Sequence, residues 1–146
     1  MKIVVSACLL GENCKYNGGN NDSESVKRLI EGHVVVPVCP EMIGGLPCPR
    51  SPGEIVDGRV INKEGESMDE SFRKGAAAAM ELVKKLNVDA AILQPRSPSC
   101  GAGKIYDGTF SGKLIPGNGV FAELLIKDGF TIRETDSADY VLLVKA

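Results

Sequence analysis

The 146-residue chain is predicted to be an α/β protein, a three-layer Rossmann-like or flavodoxin-like fold with a mainly parallel sheet. Short β-branched runs recur along it, each closed by turn residues. Segments of helical periodicity alternate with those runs, and no repeat or low-complexity tract interrupts them. The length fits a single α/β domain over residues 1–146, large enough to bury a core without disulfide staples.

In chain order, residues 2–6 (Lys-Ile-Val-Val-Ser) read as a buried strand, and 11–21, rich in Gly and Asn, as a loop. Asp22 or Ser23 caps a helix to about Glu31 that places Val26, Leu29 and Ile30 on one face, and Gly32 ends it. Residues 34–38 form a second strand. The stretch 39–54, "CPEMIGGLPCPRSPGE", has four prolines and three glycines and reads as irregular backbone of fixed shape. "EIVDGRVIN" is a hairpin turning at Asp57-Gly58.

Residues 68–86 give the clearest helix, with Phe72, Ala76, Ala79, Met80 and Val83 at helical spacing. A strand at 88–93 follows, then a small hairpin at "YDGTFSG" and a helix near 118–127. Strands at 130–133 and 140–144 close the pattern.

A formal net charge of −2 without a basic block argues against a dedicated nucleic-acid or anionic-membrane binder. The longest apolar run falls far short of a membrane span, and the opening residues read as a strand rather than a signal peptide. A cytoplasmic location is expected. In that reducing setting, five cysteines are not expected to form a disulfide framework, and their odd number points the same way.

The cysteines lie in Gly- and Pro-rich loops rather than in apolar runs, where a small buried cysteine would sit. Cys8 follows strand 2–6, Cys39 follows strand 34–38, and Cys100 lies in "RSPSCG" after strand 88–93. Ligand sites of open α/β sheets gather beyond the carboxyl ends of the strands. If the three strands are parallel neighbours, the three thiols meet at one edge. Structural zinc prefers four closed ligands, and iron–sulfur clusters usually take four cysteines, so three thiolates would leave one metal position open. Zinc, a redox thiol site and a cluster all fit this spacing.

"SACLLG" (6–11), "VCPEMIGGLPCPRSPGE" (38–54) and "RSPSCG" (96–101) together resemble the thiouracil desulfurase family. The resemblance continues through "FRKGAAAA" and "YDGTFSG" to "GNGVFAELL", covering roughly residues 3 to 133. It implies a [4Fe-4S] cluster on Cys8, Cys39 and Cys100, with the fourth iron free for the sulfur of a thiolated nucleobase such as 2-thiouracil. Two positions depart from the family pattern. Cys48 stands where threonine is more usual, and Gln94-Pro95 replaces a Leu-Lys setting.

Desulfuration by water needs a group that takes the water's proton. Glu41, two residues after Cys39, is the first candidate; its plainer role is to cap backbone N–H groups. Ser97 and Ser99, beside Cys100, are candidates for hydrogen bonds to substrate or cluster sulfide, or for local turns. Arg50 is a candidate for holding a carbonyl or anion, with an ion pair to Glu54 as the plainer reading. Tyr16 is a candidate for stacking on a base. The N–H groups of Gly101, Gly103, Gly44 and Gly45 are expected to face cluster or ligand.

Cys14 is expected to pack against or shield the site, Cys48 to be a bystander, and His33 to be structural. The expected partner is a small thiolated base, ahead of a thiolated tRNA. A non-catalytic zinc or iron–sulfur protein in sulfur delivery and a thiol redox protein are the alternatives. The second lacks a Cys-x-x-Cys motif.

Overall fold

The computed structural model describes residues 1–134 and 139–145. Its sheet contains β1 (Lys2–Ser6), β2 (Val34–Val38), β5 (Ala90–Leu93), β8 (Phe130–Glu134) and β9 (Val141–Lys145), in the order β2-β1-β5-β9-β8. β1 pairs in parallel with both β2 and β5. β9 is antiparallel to β5 and to β8.

The sheet is therefore mixed, which corrects the expectation of a mainly parallel one. The strand expected at 140–144 exists but runs in reverse. Residues 135–140 are too few for a crossover, since a parallel return takes a dozen or more residues and an antiparallel one only a few.

Side chains alternate across β1, so Val4 joins one core cluster while Ile3 and Val5 join another. On the Val4 face lie α3 (Asp69–Lys85) and α4 (Val120–Lys127). The expected stripe of Phe72, Ala76, Ala79, Met80 and Val83 is buried there. The other face is covered more thinly, by a 3-10 turn (Ala7–Leu10) and the short α1 (Glu24–Leu29), which bury Leu9 and Val26. Ser23 is the cap of α1, its Oγ accepting from the Val26 N–H. His33 is exposed, with Nδ1 3.2 Å from the amino group of Met1. Among the described residues no helix is long and apolar enough to cross a membrane.

The Pro- and Gly-rich stretch after β2 is not all irregular. Pro40–Ile43 form α2, a single turn with Pro40 at its first position, where a missing N–H costs nothing. α2 crosses α3 backbone to backbone. A Cβ on Gly44 would enter the carbonyl of Ser71, and one on Gly75 would enter that of Pro40. Gly75→Ala should therefore push α2 off α3 and cost about 1–3 kcal/mol. A melting temperature lowered by roughly 4–10 °C is expected, and an unchanged melt would show that the crossing relaxes freely.

Two hairpins stand beside the carboxyl edge of the sheet. β3 (Gly53–Val56) and β4 (Arg59–Asn62) turn at Asp57 and Gly58, both with positive φ (49° and 79°), as a tight hairpin turn requires. β6 (Lys104–Tyr106) and β7 (Leu114–Pro116) flank the "YDGTFSG" loop. Glu54 Oε1 accepts from the N–H groups of Gly108 and Phe110 at 3.0 and 3.1 Å, which fastens one hairpin to the other.

Candidate active site

β2, β1 and β5 are adjacent and parallel, so their carboxyl ends open on one edge. Cys8 sits in the 3-10 turn after β1, Cys39 caps the start of α2 after β2, and Cys100 lies in the loop after β5. All three line a cavity of about 520 Å³, within the usual range for a small-molecule site. Cys14 lines it too. Cys48 does not; its thiol donates to the carbonyls of Asn13 and Lys15 at 3.1 and 3.2 Å. All five thiols are free.

Around Cys100 the backbone is organised by one hydroxyl. Ser97 Oγ accepts from the N–H groups of Ser99 and Cys100, both at 3.1 Å. Ser99 Oγ lies 2.8 Å from Glu41 Oε2, 2.9 Å from Ser97 Oγ and 3.7 Å from Cys100 Sγ. A hydroxyl has one proton to give, and the short contact to a carboxylate takes it. Ser97 then donates to Ser99, and the remaining lone pair of Ser99 Oγ faces the Cys100 thiol.

Arg50 holds the other end of Glu41. Its Nε and Nη2 lie 3.0 and 2.9 Å from Oε1, and Nη2 also donates to the Cys14 carbonyl at 2.9 Å. The pair is largely withdrawn from solvent, with Arg50 4% and Glu41 15% exposed. This overturns the expected Arg50–Glu54 ion pair, because Glu54 is engaged with the neighbouring hairpin. Among the described residues Glu41 caps no backbone N–H group. Both its oxygens take side-chain donors.

Tyr16 is half-exposed and lines the cavity, with its carbonyl accepting the Arg50 N–H. The glycine N–H groups do not face the site. Gly44 donates to Pro40, Gly45 to Met42, Gly101 to Ser97 and Gly103 to the Asn118 side chain. Gly101 is instead required by its loop, since a Cβ there would strike the Arg96–Ser97 backbone.

Ser6, Gln94 and Arg96 also line the cavity, and the reading of the sequence gave none of them a role there. Ser6, the last residue of β1, accepts from the Gln94 N–H at 2.9 Å, and Gln94 Oε1 lies 3.8 Å from the Cys8 thiol. Arg96 has a positive φ of 65°, and its Nε is buried with no hydrogen-bond partner among the described residues. Ser6 and Gln94 end β1 and follow β5, so the strand-end rule that selected the cysteines would have reached them.

Burial pushes the Cys100 thiol up to about 12. The Cys14 thiol, and then burial, push Cys39 up strongly. Cys14 is drawn down by Cys39, but the Cys8 thiol and burial outweigh this and leave it at about 11. Cys14, Cys39 and Cys100 are thus protonated at neutral pH in the free protein, and binding a metal group there releases protons.

An α/β protein with a cysteine-lined pocket at the edge of three parallel strands, and an acid–hydroxyl pair beside the thiols, belongs to the class of enzymes that use thiolate sites on sulfur or metal chemistry. The 2-thiouracil desulfurase family model matches residues 3–137, and the chain belongs to that family. It is 39% identical over 150 residues to the uncharacterized protein YbbK of Bacillus subtilis (strain 168), covering 96% of this chain and 99% of that protein. It is 38% identical in sequence to the solved [4Fe-4S]-dependent thiouracil desulfidase TudS, with a TM-score of 0.82 over 88% of this chain and 86% of that one.

Proposed function

We propose that this protein removes sulfur from a small thiolated nucleobase, 2-thiouracil or a close relative, by hydrolysis at a [4Fe-4S] cluster held by Cys8, Cys39 and Cys100. The observation that carries this reading is the convergence of the three thiols on one cavity, from the ends of three adjacent parallel strands.

The donor set fits such a group. Among the described residues no three His, Cys, Asp or Glu side chains close on a single metal position, as one zinc with bonds of about 2.3 Å requires. Three thiols that line one cavity, each following a different strand, suit a polynuclear group that engages each at a different corner. When bound, a cluster on three cysteines supplies one iron without a thiolate, a Lewis acid for the departing sulfur.

The chain's own residues handle water and protons. With Cys100 deprotonated as a ligand, the remaining lone pair of Ser99 Oγ accepts a hydrogen bond from the attacking water while its proton points at Glu41 Oε2. Glu41 receives the water's proton through Ser99 as the thiocarbonyl carbon gains oxygen. Arg50 fixes the other carboxylate oxygen so that Oε2 keeps its aim. The overall change is thiocarbonyl plus water to carbonyl plus hydrogen sulfide, with no net electron transfer. Tyr16, at the open side, offers a ring for the base to stack on.

The net charge of −2 and the size of the cavity favour a free base over a tRNA. Five free thiols favour the reducing cytoplasm. A single Rossmann-like domain over residues 1–146 accounts for the layers and the strand-end site.

Anaerobic reconstitution followed by assay tests the proposal. Four irons and four sulfides per chain should accompany conversion of 2-thiouracil to uracil and sulfide. A protein that binds one zinc, or that turns over equally well without iron, would show the reading to be wrong.

A further inference from the structure

We infer that Cys14 is a fourth, displaceable thiolate for the cluster. It closes, in the substrate-free protein, the iron that Cys8, Cys39 and Cys100 leave open. The inference rests on the proposed cluster and assigns a role to a cysteine that the three-ligand reading leaves idle.

Cys14 does not belong to a strand end. It lies in the loop after the 3-10 turn, yet it lines the same cavity and packs against the core cluster that contains Cys8. The loop is held in place by its backbone. The Arg50 guanidinium donates to the Cys14 carbonyl at 2.9 Å, and the Cys39 thiol lies 3.8 Å from that same oxygen. On either side, Cys48 donates to the carbonyls of Asn13 and Lys15 at 3.1 and 3.2 Å. Cys48 thereby acquires a purpose: it fastens the segment that carries Cys14.

The thiol itself is treated differently from the other three. Cys8 faces Gln94 Oε1, Cys39 faces a carbonyl, and Cys100 faces the Ser99 hydroxyl. The neighbours of the Cys14 thiol are the Cys8 and Cys39 thiols themselves. A pinned backbone with a side chain that, among the described residues, is committed to no oxygen or nitrogen suits a ligand that must come and go by rotation about its own bonds. Four thiolates are also the usual complement of a four-iron cluster.

The exchange balances without redox. The bond from iron to the Cys14 sulfur breaks as one to the thiocarbonyl sulfur forms, and the released thiolate takes a proton from the solvent-open mouth. Product release reverses the exchange. An iron coordinated in this way is shielded from loss between turnovers.

The test compares reconstituted wild type with Cys14→Ala and Cys14→Ser under ferricyanide oxidation, following the three-iron EPR signal that appears when an unprotected iron departs. Both variants should hold four irons when prepared, but convert about tenfold or more faster than wild type. The KM for 2-thiouracil should fall in Cys14→Ala while kcat holds, because the substrate no longer competes with a thiolate. Equal conversion rates in a wild type that holds four irons would overturn this inference alone, and an unchanged KM would overturn displacement. A wild type that holds no four-iron cluster would sink the functional proposal and this inference with it.

Discussion

Cys39→Ala is expected to yield a folded, colourless protein with activity on 2-thiouracil reduced more than about 100-fold. Cys39 is the first residue after β2 and caps α2, so it meets the cavity from the edge strand, while Cys8 and Cys100 meet it from the two inner strands. Removing any one leaves two strand-end sulfurs and the displaceable Cys14, too few fixed ligands to keep the cluster. Cys8→Ala and Cys100→Ala should behave alike, with some loss of stability because both side chains are buried. Cys48→Ala should keep its iron, since that thiol lies outside the cavity. Iron and sulfide counts on the four variants check the set, and a Cys39→Ala protein with full cluster content would refute the ligand assignment.

Glu41→Gln should lower kcat by about 10²–10⁴ with the cluster spectrum retained. The amide keeps the shape of the side chain but cannot accept the water's proton. It also brings an N–H₂ group to a site where both oxygens already face donors, Arg50 on one side and Ser99 on the other. Arg50, 4% exposed, is then left without its counter-charge, and breaking such a pair costs about 3–5 kcal/mol. Chemistry and stability are therefore separated by measuring both. Ser99→Ala should lower kcat while leaving the Arg50–Glu41 pair, and most of the stability, intact. If Ser99→Ala and Glu41→Gln each left kcat at the wild-type level, the proton route would lie elsewhere.

Much of this site was legible because its cysteines follow strands, and strands of β-branched residues announce themselves. Cys8, Cys39 and Cys100 could be grouped once β1, β2 and β5 were taken as parallel neighbours, which they are. Helix α3 was equally plain from its buried stripe. What lay hidden was direction and pairing. The residue pattern of Val141–Lys145 shows a strand but not which way it runs; only the short connection before it carries that information. α2 was masked by prolines and glycines that look like loop, although one proline starts a helix and one glycine allows it to touch α3.

Arg50 was matched to the wrong carboxylate because Glu54 is closer along the chain, whereas the fold returns Glu41 to it. The glycines near the site signalled close approach correctly. The approach is to protein backbone, not to a ligand.

The position of β9 bears on how the chain assembles as it is made. β8 joins the sheet only through β9, so it has no strand to pair with until the last of the five has been synthesised. The trio that carries the cysteine loops has no such wait, because β1, β2 and β5 pair with one another and all precede Gln94. Synthesis delivers the N-terminal strands first, although a domain folds as a unit. Every strand pairing on the edge that carries the cysteines is therefore available while the far side of the sheet is still unmade.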